Sequence, residues 1–219
     1  MNIDFSPLYL SLKVACFATL LTILLAIPLG YFLARCNFWG KDLLDSLFTL
    51  PLVLPPTVLG YYLLVLIGRQ SPLGAFLNEK LGIQLIFTWQ AAVLAAFFSS
   101  YPLLLKSAKA AFATIDQNLE NAARTLGRSE INIFFTVTIP LAWKGLTSGI
   151  ILSFARALGD FGATLMVAGN IPGKTQTMPI AIYDAVIADN VGQANLLVII
   201  ITLVAIIAMF LLQLLERKY

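Results

Sequence analysis

Glu120-Asn-Ala-Ala-Arg-Thr-Leu-Gly127, followed ten residues after the glycine by Val137-Thr-Ile-Pro140, reads as a short polar helix with a glycine stop. It decides the fold by where it stands. The apolar runs on either side of it are long enough to cross a bilayer, so the chain must return to water between them. The whole chain has the matching composition. Of 219 residues, 59% are hydrophobic and 11% charged, and mean hydropathy is +0.89. A soluble domain carries about 25% charged residues. This chain cannot cover itself in water, and a bilayer is its solvent.

Spanning a hydrocarbon core takes about 20 apolar residues. Uncharged windows of that order lie at 14–34, 46–68, 81–105 and 190–215, and 145–169 is apolar apart from Arg156 and Asp160. The expected architecture is an all-α integral membrane protein, a single domain over 1–219. Its spans are expected at 10–34, 46–68, 85–105, 145–169 and 193–215. Residues 106–140 would form a polar connection on one side, and 170–190 a loop on the other. The start, Met1-Asn-Ile-Asp-Phe5, lacks the basic region of a cleaved signal, so the first helix is expected to be retained.

Lysine and arginine in the connections set the orientation. One face carries Arg35, Lys41, Lys106, Lys109, Arg124, Arg128, Lys144, Arg217 and Lys218; the other carries Lys13, Arg69, Lys80 and Lys174. The richer face is expected in the cytoplasm, which puts the N-terminus outside and the C-terminus inside. There is no histidine, which removes the commonest neutral-pH acid, base and metal ligand. No catalytic set and no metal centre is expected. Cys16 and Cys36 would lie roughly 30 Å apart along one helix at about 1.5 Å per residue, too far for a disulfide.

Within the polar connection, Thr114-Ile-Asp-Gln117 fits a capping box, with Asp116 in the first turn. Leu119, Ala122, Ala123 and Leu126 fall on one side of the helix; Gln117, Glu120, Asn121 and Arg124 lie toward the other, with Glu120 and Arg124 spaced for an i,i+4 pair. Gly127 suits a left-handed C-cap. Helix physics leaves two readings, a helix resting on lipid headgroups and a helix that docks a protein.

The spacing Ala122-Ala123, three residues, Gly127, nine residues, Val137, one residue, Ile139-Pro140 resembles the EAA loop of ABC importer permeases. Asn121 stands where that pattern has glutamate, Val137 for isoleucine and Ile139 for leucine. Leu44–Pro56, Phe154–Thr164 and Gly169–Tyr183 resemble the molybdate/sulfate-type permeases of that family, with Asp160 for a glutamate and Gly-Lys-Thr-Gln-Thr-Met-Pro closer to the molybdate group. The resemblance implies a type I importer fold and a non-catalytic permease of the bacterial inner membrane. It implies molybdate as cargo with tungstate as co-substrate, sulfate or a related oxyanion being the alternative. Glu120, Asn121, Ala122, Ala123, Arg124, Gly127 and Pro140 would couple to an ATPase. The implied partners are a second permease copy, two ATP-binding subunits that use ATP and Mg, and an external molybdate-binding protein. This chain itself would bind no cofactor and no nucleic acid.

Three further groups stand out. Pro51, Pro55 and Pro56 break or kink the second span, either to line a pathway or gate or merely to pack. Arg156 and Asp160 share a helix face; each alone would cost roughly 2.5–3.5 kcal/mol in the bilayer. They form either a partner-switching pair or a static one. Asn170, Pro172 and Lys174 lie in a Pro/Gly-rich turn suited to contact with the delivering protein. Gly169-Asn-Ile-Pro-Gly-Lys-Thr175 is one residue short of a phosphate loop, and Pro172 removes an amide donor. The rivals from other classes are an intramembrane enzyme, for which no nucleophile and base cluster is evident, and a membrane scaffold.

Overall fold

The computed structural model of the chain describes residues 4–82 and 84–217; the expected cytoplasmic Lys218 lies outside the described residues. In chain order the helices are α1 (Ser6–Arg35), α2 (Lys41–Thr49), a 3₁₀ turn at Leu50–Leu52, α3 (Pro56–Ile67), α4 (Pro72–Leu81) and α5 (Trp89–Ala113). Then come α6 (Gln117–Thr125), α7 (Glu130–Ile133), a π-helical turn at Phe134–Thr138, α8 (Ile139–Leu158), α9 (Gly162–Ala168), α10 (Met178–Ile187) and α11 (Val191–Arg217). No strand occurs among the described residues. Four helical runs are long and apolar enough to cross a membrane: Ser6–Arg35, Trp89–Ala113, Glu130–Leu158 and Val191–Leu214. The bent pair Lys41–Leu52 and Pro56–Ile67 passes the same test only when its two helices are taken together, as a broken span or a re-entrant loop.

The centre of the bundle is α5, packed between α1 and α8. Lipid tails are as apolar as leucine, so burial alone does not drive these helices together and close packing has to do so. Small residues supply it. Ala15, Ala18 and Ala26 of α1 and Ala91, Ala92, Ala95 and Ala96 of α5 are all wholly buried. On α8, Gly145 and Gly149 face Ala111 and Ser107 of α5, and the Ser107 hydroxyl donates to the Gly145 carbonyl at 2.7 Å. A Cβ at Gly149 would lie 2.6 Å from the Ser107 Cβ, a distance real contacts do not show. Gly149→Val is therefore expected to destabilise the bundle by about 1–3 kcal/mol, read as a lower thermal midpoint in detergent. Gly192→Ala, which meets nothing closer than 4.0 Å, should not lower it.

Several expected boundaries move. The 46–68 stretch is two helices meeting at 109°. Pro51 sits in the 3₁₀ turn, Pro55 is extended (φ −54°, ψ 138°) and Pro56 opens α3. A proline disfavours the helical region for the residue before it, as Pro55 before Pro56 shows, and opens a helix without losing a bond. The 145–169 stretch is also broken: α8 ends at Leu158, and α9 begins at Gly162. Residues 106–113 belong to α5 and 130–140 are helical, so the expected polar connection narrows to α6 and the short turns on either side of it. The expected loop 170–190 contains α10, and α4 was not anticipated.

Asp160, in the α8–α9 break, bonds to Ser99. Ser99 is ten residues into α5, about 15 Å along it at about 1.5 Å per residue, which is half the thickness of a hydrocarbon core of about 30 Å. The α2–α3 break meets the same level: a Cβ at Gly162 would lie 3.1 Å from the Pro56 Cβ. Both irregular stretches thus lie half-way through the bundle, against each other.

Candidate functional site

The polar helix α6 is capped differently from the sequence expectation. Asp116 is the N-cap, its carboxylate accepting from the Asn118 amide at 2.9 Å. Thr114 is in the helical region and closes α5, its hydroxyl donating to the Ala111 carbonyl. Burial of Ile115 between them anchors the chain and moves the start of α6 past Thr114. At the other end Gly127 is left-handed (φ +77°), its amide donating to the Arg124 carbonyl and that of Arg128 to the Ala123 carbonyl. Only glycine takes that conformation without a steric cost.

The expected Glu120–Arg124 pair does not form. Arg124 turns outward and bonds both oxygens of Glu130, at 2.6 and 2.9 Å, and the Asn121 side-chain oxygen at 2.7 Å. Glu120 turns inward and is 2% exposed. Its Oε1 accepts from Arg35 Nη2 at 3.0 Å and from the Thr138 hydroxyl at 2.8 Å. Asn121 therefore works locally, as a partner of Arg124. The apolar side of α6 is open: Leu119 and Leu126 are 49% and 82% exposed, and Ile131 and Phe135 beyond them are exposed too. Ala122 is exposed and Ala123 half-buried. Pro140, also exposed, stands two residues after the π-helical turn. It lacks an amide and its ring crowds the carbonyl four residues back, which accounts for the widened helix there. The polar helix α6 thus carries an apolar face that no other described part of the chain covers.

The second cluster is the junction of the two breaks. Asp160 Oδ1 accepts from the Ser99 hydroxyl at 2.8 Å; Oδ2 accepts from the Thr164 amide at 3.0 Å and its hydroxyl at 2.6 Å. Arg156 Nη1 is 3.6 Å from Oδ1. The carboxylate is buried and fully bonded, whereas the Arg156 side chain is one-third exposed. Asp160 holds the break open by capping the start of α9 and pinning it to α5. Pro55 and Pro56 lie exposed across the junction, with Pro51 half-buried below them. Thr164 and Gly162 were missed from sequence. The Asp160-x-x-x-Thr164 spacing was a signal for the first, since a short polar side chain ahead of a helix caps its early amides. Nothing local marked Gly162, whose small size matters only because Pro56 lies opposite.

The third is the turn at the far end of the bundle. The amides of Lys174, Thr175 and Gln176 all converge on the Ile171 carbonyl. The Thr175 hydroxyl accepts from the Ile171 amide, and Gln176 Nε2 donates to Asn170 and Asp184. Those amides face inward, so they cannot cradle a phosphate. Asn170 braces the turn, and Pro172, Gly173 and Lys174 form its exposed tip. Among the described residues no group of histidine, cysteine, aspartate and glutamate is arranged to hold a metal ion.

Comparisons with known proteins agree on one family. The family described as "Binding-protein-dependent transport system inner membrane component" matches residues 26–219. The molybdenum transport system permease protein ModB of Escherichia coli (strain K12) is 44% identical over 205 residues, 93% of this chain and 90% of that protein. ModB of Haemophilus influenzae is 40% identical over 208 residues, 93% and 91% of the two chains. Among solved structures, an inward-facing MetNI methionine ABC transporter chain superposes with a TM-score of 0.73 over 97% of this chain and 94% of that one. At 16% identity that likeness concerns the fold.

Proposed function

Because the chain belongs to the family of binding-protein-dependent transport system inner membrane components and has the type I ABC importer permease fold, we propose that it carries molybdate, and tungstate with it, across the cytoplasmic membrane. As an ABC permease subunit it is non-catalytic, with ATP hydrolysis in a separate subunit. The observation that carries the substrate reading is the 44% identity to a molybdenum permease over nearly the whole chain. The chain works as one of two identical copies, whose shared interface forms the path. The broken segment at Pro51, Pro55 and Pro56, the last two exposed, and the one-third exposed Arg156 side chain suit that role, because irregular backbone at membrane depth belongs where it faces a water-filled space. Asp160, fully bonded, serves as the fixed post beside the path.

The α6 end faces the cytoplasm and the 170–174 turn faces outward, the orientation favoured by the nine-to-four distribution of basic residues. Leu119, Ala122, Ala123 and Leu126 dock an ATP-binding subunit, which alone uses ATP and Mg. Pro172 and Lys174, on a tip braced by Asn170, meet the external protein that delivers the oxyanion. The test is ATP-driven uptake by the reconstituted complex with molybdate, tungstate and sulfate in competition. Tungstate should inhibit molybdate uptake at comparable concentration and sulfate should not. Sulfate transported as well as molybdate would overturn the substrate assignment.

A further inference from the structure

We propose that Glu120 is a positioning residue, a rigid tie that passes movement of α6 to α1 and α8, and that it does not belong to the surface the ATP-binding subunit touches. This rests on the docking reading of α6. Three observations carry it. First, Glu120 is buried in a helix whose Leu119, Ala122 and Leu126 are open. Second, its single oxygen Oε1 joins two different elements: Arg35 in the last turn of α1, and Thr138, the wholly buried last residue of the π-helical turn that runs into α8. Arg35, itself 12% exposed at its side chain, also donates to the Ile115 carbonyl just beyond α5. The carboxylate therefore ties α6 directly to the end of α1 and the start of α8, and through Arg35 to the end of α5. Third, α6 otherwise packs mainly on α7 and the π-helical turn, so little else fixes its angle to the bundle.

The choice of a charge for this joint has a physical reason. A buried ion pair adds little net stability over an apolar contact of the same size. An apolar contact slides, however, whereas a charge-assisted hydrogen bond has a fixed length and direction. A tie that must transmit a push or pull needs the second property. Thr138 sits where the helix is already widened, and such turns are where a helix accommodates displacement most readily. A pull on Glu120 is thus delivered to the point in α8 best able to move.

The test uses the full reconstituted complex with its delivering protein and molybdate. Glu120→Gln keeps shape and an acceptor for Thr138 but loses the ionic bond to Arg35. It is expected to retain the ATP-binding subunits and to go on hydrolysing ATP, while molybdate taken up per ATP falls about fivefold or more, the lower end of ordinary coupling between two sites. Arg35→Gln should do the same, the double variant should be no worse than either alone, and Arg35→Lys should keep most of the coupling. Unchanged uptake per ATP in Glu120→Gln would overturn the proposal. So would loss of the ATP-binding subunits from a well-folded Glu120→Gln permease, since that places the residue in the docking contact. If Glu120→Gln fails to fold, Thr138→Val, which removes one hydroxyl, must lower uptake per ATP, and full coupling in it overturns the tie. Retention of the ATP-binding subunits by Leu126→Asp would instead refute docking through α6, whatever Glu120 does.

Discussion

Asp160→Ala is expected to destabilise the permease by at least about 1–3 kcal/mol, the range for leaving a buried hydrogen-bond donor unpaired, and to abolish uptake. The substitution strips the α8–α9 break of its organiser. The Thr164 amide, the Thr164 hydroxyl and the Ser99 hydroxyl all lose their acceptor. These donors sit beside a carboxylate that is itself 2% exposed. Arg156 loses its counter-charge 3.6 Å away, half-way along the bundle. Asp160→Asn keeps one side-chain oxygen for the Thr164 amide, so it should cost distinctly less while still weakening uptake. Thermal midpoints and yields of the purified protein in detergent, with uptake in liposomes, decide the matter. A midpoint for Asp160→Ala equal to that of the wild type would refute the clamp. Wild-type uptake in Asp160→Ala would show that the break need not be pinned to α5.

Leu126→Asp is expected to leave the fold intact and reduce retention of the ATP-binding subunits at least about tenfold. The leucine is 82% exposed, so the permease itself loses no packing. If a partner covers it, burial of a leucine contributes about 1.5–3 kcal/mol, and each 1.4 kcal/mol is about tenfold in affinity. An aspartate in its place must also be desolvated, which adds to the loss. Co-purification of the subunits, with an unchanged elution profile and thermal midpoint for the permease, is the measurement. Glu79→Ala, exposed on α4 at the opposite end, is the control and should retain them fully. Equal retention in the two variants would mean that the open apolar face of α6 meets lipid.

Both predictions depend on contacts of unequal legibility. The Leu126 face could be read from spacing, because Leu119, Ala122, Ala123 and Leu126 recur at helical intervals within a single short element. Gly127 could be read as well, since a helix stop in the left-handed region is a local demand. Pro51, Pro55 and Pro56 announced a break but not its angle of 109°, which packing on α5 and α9 sets. Thr114 misled, because a capping box is a pattern of residue types; the burial of Ile115 chose Asp116 instead. Glu120 misled for the same kind of reason. Its i,i+4 spacing to Arg124 is real, but Arg124 found a two-oxygen partner in Glu130, and Glu120 found Arg35, 85 residues away.

By itself the sequence determined the solvent of this protein, its apolar helical runs, its glycine stop and the family whose pattern it carries. These are matters of hydropathy, period and backbone conformation, and each is settled within a few turns of chain. Only the tertiary structure decided that Glu120 points inward, that Asp160 pins one break to Ser99 across 61 residues, and that the two broken helices meet half-way through the bundle. A buried charge goes where its desolvation is best offset, and that place is defined by groups the folded chain brings from far along its length.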